Sequence, residues 1–280
     1  MIKTLIDQVE KRREEHPGEG LEKLYGHLQP EGIGRDKFCQ VFQQLGYGIR
    51  RQPNRMRTTI AAHKVFENLI EGLVVTGPHQ VWQTDITYIR LADRFYYLTF
   101  IMDVYTRQIV GYAVSDNLRA EANLKALRMA LSQVSSSQLD RLVHHSDRGS
   151  QYTDGAYLAL LRSYGITISM GKKAADNAYA ERVNGIIKNE YLIPRGLISF
   201  KQLTYWCRQA VSDYNNQRHH RGLGRISPRE YERRYWQLPV DERKRVVIRS
   251  YETPRGLEAS LQASGVDIAS QYLYCPYTCN

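Results

Sequence analysis

The sequence predicts an α/β fold: a mixed five-stranded sheet flanked by helices and preceded by a small all-α helix-turn-helix domain. Three observations predict it. Apolar residues recur at helical spacing as far as Gly46, β-branched and aromatic runs take over between Val81 and Ser115, and strand-like and helix-like runs alternate beyond them. The resulting order βββαβαβαα calls for antiparallel strands first, crossover strands afterwards, and helices covering the sheet.

The first helix covers residues 1–15, where Ile2, Leu5, Ile6 and Val9 share a face and charges fill the other. "GEGLEKLYGHL" gives a second through Leu21, Leu24, Tyr25 and Leu28, and "QPEGIG" breaks it. "RDKFCQVFQQLG" gives a third, with Phe38, Val41, Phe42 and Leu45 on one stripe. Three short helices with a glycine-containing turn before the last are the helix-turn-helix pattern. The outer face of the last helix offers Arg35, Lys37, Gln40 and Gln44, residue types suited to phosphates and base edges. "GIRRQPNRMRTT" follows with Arg50, Arg51, Arg55 and Arg57. It reads as a solvated basic linker or, beside such a domain, as a DNA contact, and the second reading is favoured.

A helical connector (residues 60–71) and the break "TGPHQ" lead into three hairpin-linked strands, "VWQTDITYIRL", "RFYYLTFIMDVY" and "RQIVGYAVS". "LRAEANLKALRMALSQV" reads as an amphipathic helix, "RLVHHS" as a fourth strand, "TDGAYLALLRSYG" as a helix and "ITISM" as a fifth strand. "ADNAYAERVNGIIKNEYL" and "FKQLTYWCRQAVSDYNNQ" are helical.

A chain of 280 residues holds one large domain or two smaller ones, and 42% hydrophobic residues suffice for a packed core. The 39 Lys+Arg against 29 Asp+Glu leave a net charge of +10, which favours a polyanionic partner, nucleic acid before membrane. No apolar run approaches the roughly 18 residues that span a bilayer. The N-terminus turns charged too early for a secretory signal, so a cytoplasmic protein is expected. Cys39, Cys207, Cys275 and Cys279 are too few and scattered for a disulfide framework. Cys275 and Cys279 lack two further zinc ligands nearby, and His16, His27 and Cys39 do not have zinc-finger spacing.

Asp85 sits inside the first strand, where apolar side chains are favoured and an unpaired buried carboxylate is costly. Asp147 ends the fourth strand in "LVHHSDRGSQYTD", a place that suits a turn former, a helix cap or a metal ligand. A right-handed crossover can lay the fourth strand beside the first and bring these acids together. Glu181 opens the helical run after the fifth strand. Gathered carboxylates repel one another, divalent cations relieve the repulsion, and all-oxygen sites suit Mg²⁺ or Mn²⁺. An acid trio on a sheet in a basic protein has the components of two-metal phosphodiester chemistry, with two ions per active site and no Cys or Ser nucleophile.

Asn184 and Lys188 follow Glu181 on one helical face; they either form an ordinary polar helix face or point an amide and a cation into a groove that takes DNA, where Lys188 meets a phosphate. Lys172 and Lys173 in "GKKAADN" either clamp a nucleic-acid backbone or belong to a mobile loop. Arg148 suits a phosphate, and Gly149 lets the chain turn. Of His144 and His145, one is expected to face the core and the other to approach the site. His219 and His220 brace the core or contact DNA, bracing being favoured.

"WQTDITYI", "HHSDRGSQY" and "DNAYAERVNGIIKNEYL" resemble the three catalytic segments of DDE transposases with a retroviral-integrase-like core. Within that family the chain looks like the downstream-frame, catalytic product of bacterial insertion sequences encoded in two overlapping reading frames. The similarity runs from about residue 15 to 235 and includes the closing "YNNQRHHRGLGRISPREYERR". The resemblance implies an RNase H-like fold, with Asp85, Asp147 and Glu181 as the catalytic, metal-binding acids. It implies 3′-end cleavage at transposon ends and strand transfer by the freed 3′-hydroxyl. As partners it implies double-stranded DNA (terminal inverted repeats and target), further copies of the chain, and the upstream-frame product or its frameshift fusion.

The expected domains are a helix-turn-helix DNA-binding domain at 1–58, a helical connector at 59–78, an RNase H-like integrase catalytic core at 79–235, and an extension of unknown role at 236–280. The extension reads as a partner-binding segment or a poorly ordered end. A structure-selective nuclease on the same fold and a non-catalytic DNA-binding regulator are the alternative functions.

Overall fold

The computed structural model describes residues 2–49 and 66–249. Arg50, Arg51, Arg55, Arg57, Cys275 and Cys279 lie outside the described residues. The chain divides into two compact units, one comprising residues 1–57 and 185–210, the other residues 58–184 and 211–280.

In the first unit, α1 (Ile2–Glu15), α2 (Leu21–Leu28) and α3 (Arg35–Gln44) follow the three apolar stripes. Leu5, Val9, Leu24, Phe38 and Phe42 form its core, with the rings of Phe38 and Phe42 stacked at 4.3 Å. The ends of the expected stripes differ: Ile2 is 52% exposed and Leu45 48%. Leu45 falls in the turn where α3 has already ended, ahead of Gly46 at φ 86°. Glu19 is buried between the Arg12 guanidinium (2.9 Å) and His27 (2.8 Å), which together hold its carboxyl down at about 2 despite the burial. Residues 185–210 pack in this unit. The backbone N–H of Gly18 donates to the Glu190 carbonyl at 2.7 Å, and a Cβ on Gly18 would overlap the Glu190 backbone. Lys23 Nζ reaches the Glu190 carboxylate at 2.7 Å.

The second unit begins with β1 (Val74–Val75) and is built on a five-stranded sheet of β2 (Val81–Leu91), β3 (Arg94–Asp103), β4 (Ile109–Ser115), β5 (Val143–Ser146) and β6 (Thr167–Met170). The strand order is β4-β3-β2-β5-β6, antiparallel among β2, β3 and β4, and parallel from β2 through β5 to β6. This is the mixed sheet the element order predicts. Helices α4 (Ala120–Leu131), α5 (Ser136–Leu139) and α6 (Gly155–Ser163) lie between its later strands. Trp82, Ile101, Val110, Leu127, Leu161 and Met170 bring sheet and helices into one core. Helix α7 (Ala178–Ile186) begins in this unit and α8 (Phe200–Asn216) ends in it, residues 185–210 belonging to the first; α9 (Pro228–Gln237) follows, starting with Ser227 Oγ accepting the Glu230 N–H and Pro228 in its first turn.

Two expectations need correction. Residues 66–71 of the expected helical connector are not helical; Leu69 N–H donates to Ser169 Oγ (2.9 Å), and Met170 N–H to the Glu67 carbonyl (3.1 Å). Bonding to the edge strand β6 replaces the intrahelical bonds that stretch would otherwise need. The extension beyond residue 235 is, as far as Arg249, integral to the second unit. Its strand β7 (Val246–Val247) pairs antiparallel with β1, Ile248 joins a core with Ile70, Val81 and Tyr105, and the Tyr105 hydroxyl donates to the Lys244 carbonyl at 2.9 Å.

Candidate active site

The parallel pairing of β2 with β5 runs Trp82↔His144, Gln83↔His145 and Thr84↔Ser146. Continued by one residue, that register sets Asp85 beside Asp147 on neighbouring strands about 4.8 Å apart. Asp85 lies within β2, opposite Phe100 of β3. Asp147 is the first residue past β5, and its Oδ1 accepts the Gly149 N–H at 3.0 Å. A side chain at Gly149 would place its Cβ 3.0 Å from that oxygen and 3.1 Å from Gln151 Oε1, so close approach, and no unusual φ, calls for glycine there. Asp85 Oδ1 accepts the N–H of Ile86 (2.9 Å), and its Oδ2 accepts from Asn184 Nδ2 (2.8 Å) on α7. Glu181 stands one turn before Asn184 on the same helix.

The electrostatics couple the three acids. Burial, then Asp147, then Glu181 push the Asp85 carboxyl well above its ordinary range, and the bonds from Ile86 and Asn184 offset only part of this. Glu181 is raised by burial and by Asp147. The buried phenol of Tyr152, 3.4 Å from Thr84 Oγ1, is raised by burial and then by Asp147 and Asp85, which places it against the same acids. Asn184 Oδ1 is buried without a hydrogen-bond partner, a further oxygen left open beside Asp85. Among the described residues no three His, Cys, Asp or Glu side chains form a ready-made ion cage. The donor set nevertheless fits a hard divalent cation: every donor is oxygen, and the charges oppose one another until a cation intervenes.

The remaining expected residues divide between open and covered positions. Arg35, Lys37, Gln40 and Gln44 are all exposed on α3, Arg35 bonded to Asp36 (2.8 Å) and Lys37 to Gln40 (3.4 Å). Arg148 is half-buried, with its Nε enclosed and lacking a hydrogen-bond partner. Lys172 and Lys173 are exposed, and their backbone N–H groups donate to Asp176 Oδ2 at 2.7 and 3.1 Å, which ties the loop down. The single open face expected for Glu181, Asn184 and Lys188 is not uniform. Glu181 is exposed, whereas Asn184 and Lys188 are buried, and burial lowers the Lys188 ammonium's pKa. Lys188 falls beyond α7 in a π-helical turn (Ile187–Leu192), which changes the spacing on which that face was drawn.

Both histidines of the pair are buried, His145 on the strand face that also carries Gln83. Strand alternation sends His144 and His145 to opposite faces. His144 Nε2 meets the Tyr157 hydroxyl (3.0 Å), and His145 Nδ1 meets Ser169 Oγ (2.9 Å). Burial pushes their pKa values down to about 3 and about 4. His220 braces, with its ring 4.8 Å from that of Tyr214 and its Nδ1 3.1 Å from Arg218. Four residues that sequence reasoning passed over belong to the site's framework: Gln83, Tyr152, Asp176 and Asn177. Gln83 carried the same signal that singled out Asp85, a polar side chain inside an apolar strand, and it is fully buried.

The chain matches the integrase core domain model over residues 75–175 and a second integrase core domain model over 164–228. It is 35% identical over 227 residues to an uncharacterized 31 kDa protein of insertion element IS600 from Shigella sonnei, covering 78% of this chain and 83% of that one. It is 32% identical over 229 residues to the transposase for insertion sequence element IS629 of Shigella sonnei (80% and 76%). Transposase InsF of insertion sequence IS3A from Escherichia coli K12 is 31% identical over 225 residues (76% and 76%). A chain of the simian T-cell lymphotropic virus intasome, solved in complex with the PP2A regulatory subunit B56 gamma, shares the fold at 16% identity and a TM-score of 0.50, covering 80% of this chain and 74% of that one. No described helix is long and apolar enough to cross a membrane. With an RNase H-like sheet, an acid set at its centre and relatives of this length and identity, the chain belongs to the insertion-sequence DNA transposases built on an integrase core domain.

Proposed function

We propose that this transposase cleaves the 3′ ends of its insertion sequence and joins them to target DNA at a site made by Asp85, Asp147 and Glu181. These acids hold Mg²⁺ or Mn²⁺, two ions per active site. The observation that carries the reading is the convergence of the three carboxylates, Asp85 on β2, Asp147 at the end of the paired strand β5 and Glu181 on the helix whose Asn184 bonds Asp85; burial first, and neighbouring acids second, push Asp85 and Glu181 up. Bound divalent ions supply stabilisation of charge on the phosphoryl oxygens and ease deprotonation of the attacking hydroxyl.

In cleavage, a water oxygen attacks phosphorus, the P–O3′ bond breaks, and a 3′-hydroxyl is released. In joining, that hydroxyl oxygen forms a bond to a target phosphorus as the target's own P–O3′ bond breaks. Each step releases one proton from the nucleophile and delivers one to the leaving oxygen. The nucleophile's proton passes to solvent from a hydroxyl whose acidity the divalent ions would raise. Asn184 fixes the orientation of the Asp85 carboxylate through its 2.8 Å bond, a supporting role that replaces direct DNA contact.

DNA is contacted by the exposed α3 face (Arg35, Lys37, Gln40 and Gln44), by Arg50, Arg51, Arg55 and Arg57, and by Lys172 and Lys173 near the acids. Arg148, half-buried next to Asp147 in sequence, is the residue proposed to meet a phosphate there. The helix-turn-helix at 1–58 reads double-stranded terminal repeats, and the protein acts as a homo-oligomer on paired ends. The upstream-frame product, or its frameshift fusion, joins that assembly.

The test is strand transfer of labelled, pre-cleaved end DNA into a plasmid with Mg²⁺, Mn²⁺ or EDTA. Joined product that needs the metal and disappears in Asp85→Asn, Asp147→Asn and Glu181→Gln, with end binding retained, is the expected result. Cleavage without joining would favour a nuclease. Undiminished joining in Glu181→Gln would overturn the assignment of the acids.

A further inference from the structure

The start of α7 is held by a side chain that the helix itself does not own. The N–H groups of Tyr179 and Ala180, in the first turn, both donate to Gln83 Oε1, at 3.2 and 3.3 Å. Those are donors that a helix's own capping side chain ordinarily satisfies. Here the residue before the helix, Asn177, turns its amide away and donates to the Thr84 carbonyl of β2 at 2.8 Å. Gln83 completes the clamp by donating its Nε2 to the Asp176 carbonyl at 3.3 Å. Gln83 and Asn177 are both buried.

The three bonding positions on the strand are consecutive. Gln83 takes the helix N-terminus, the Thr84 carbonyl takes Asn177, and Asp85 takes Asn184. Gln83 and Asp85 project on the same face of β2, because strand side chains alternate. Glu181 directly follows Ala180, whose N–H is one of the two that Gln83 holds. Displacement of that helix start moves Glu181 relative to Asp85.

We infer that Gln83 is a positioning residue of the transposase: by capping α7 from inside β2 it sets the distance between Asp85 and Glu181, and so the affinity of the acid set for divalent cations. The inference rests on the assignment of those acids as ion ligands. Residues that orient metal ligands through one intervening contact typically change affinity about 10- to 100-fold when altered. Misplacement of a reacting group by about 1 Å can cost on the order of 100-fold in rate.

The experiment compares wild type, Gln83→Met, Gln83→Glu and Glu181→Gln in the full chain. Met keeps the length and burial but removes the acceptor; Glu keeps an acceptor toward the two N–H groups, which the helix dipole favours. The readouts are Mn²⁺ affinity by calorimetry without DNA, end-DNA binding, circular dichroism, and the joining rate at saturating DNA. The expected result for Gln83→Met is Mn²⁺ affinity reduced about 10-fold or more. Its joining rate falls on the order of 30- to 100-fold, while end binding stays within about 2-fold and the helical signal is kept. Gln83→Glu, which keeps the acceptor for the two N–H groups but gives up the bond to the Asp176 carbonyl, recovers part of both losses. Unchanged Mn²⁺ affinity in folded Gln83→Met, or equal losses in Gln83→Glu, would overturn the inference and leave the acid assignment standing. Mn²⁺ binding and joining that survive Glu181→Gln would instead overturn the acid assignment itself.

Discussion

Asp85 and Asp103 lie on the paired strands β2 and β3, and burial pushes both carboxyls up. Asp103, opposite Trp82, is completely buried and accepts from three donors: the His79 N–H (2.9 Å), the Thr106 N–H (2.8 Å) and the Thr106 hydroxyl (2.6 Å). Asp85, opposite Phe100, accepts from Ile86 and Asn184 and faces two further acids. Thr106 and His79 offset the cost of burial at Asp103, whereas Asp147 and Glu181 add to it at Asp85. A strand aspartate is therefore not in itself a mark of chemistry. What separates the bracing carboxylate from the one proposed to react is whether the protein's own donors answer its charge.

The largest effect expected from this contrast is on Asp85→Asn. Joining should fall by roughly 10³-fold or more, since the acids act as a unit. The thermal midpoint should hold or rise, because a carboxylate opposed by Asp147 and Glu181 has been neutralised. A midpoint that drops by several degrees would mean that Asp85 is a structural acid like Asp103. Asp103→Asn should do the opposite. It turns an amide toward donors and should cost about 2 kcal/mol in urea unfolding, with joining per folded molecule within about threefold of wild type. Activity lost far beyond the folded fraction would put Asp103 in the reaction.

A smaller effect separates the histidines beside the acids. Their folded pKa values are depressed to about 3 and about 4 from an ordinary 6.5, so between pH 6.5 and 4 the unfolded chain binds more protons than the folded one. Their contribution to stability is complete above 6.5 and is lost as pH falls through that window. His79, raised by Glu232 and Asp103 against its burial, works in the opposite direction. The thermal midpoint should decline across the window, and His145→Asn should flatten the decline. A midpoint independent of pH there would show that neither imidazole is held neutral.

The smallest expected effect lies on α3. Removing charge at Arg35 and Lys37 together should weaken end binding and reduce the salt slope by about one to two. The acid site should keep its Mn²⁺ affinity. Salt titration of end binding checks this, and an unchanged slope would remove that face from the interface.

The sheet and the acids were legible for different reasons. β2, β3 and β4 are long runs of β-branched and aromatic residues, and the pattern gives their bounds closely. Asp85 was legible because it interrupts such a run. β1 and β7 are two residues each, too short for any periodicity, so the place of the segment near Val246 depended on a partner far away in sequence. The π-helical turn after Ile186 was hidden as well, because its residues read as ordinary helix. Asn184 was visible as a polar residue near Glu181, but its partner Asp85 lies on another element, and only the fold brings them together. Gln83 carried a readable signal that was overshadowed by the acid two residues on.

If the three acids are left for a cation to complete, thermal unfolding with increasing Mn²⁺ will show it. An ion that binds the folded protein alone should stabilise it by about 2.7 kcal/mol at one hundred times its dissociation constant. The account predicts a midpoint that climbs with Mn²⁺ in wild type, climbs equally in Asp103→Asn from a lower start, and stays flat in Asp85→Asn. A flat wild type, or an Asp85→Asn variant that climbs as steeply, would contradict it.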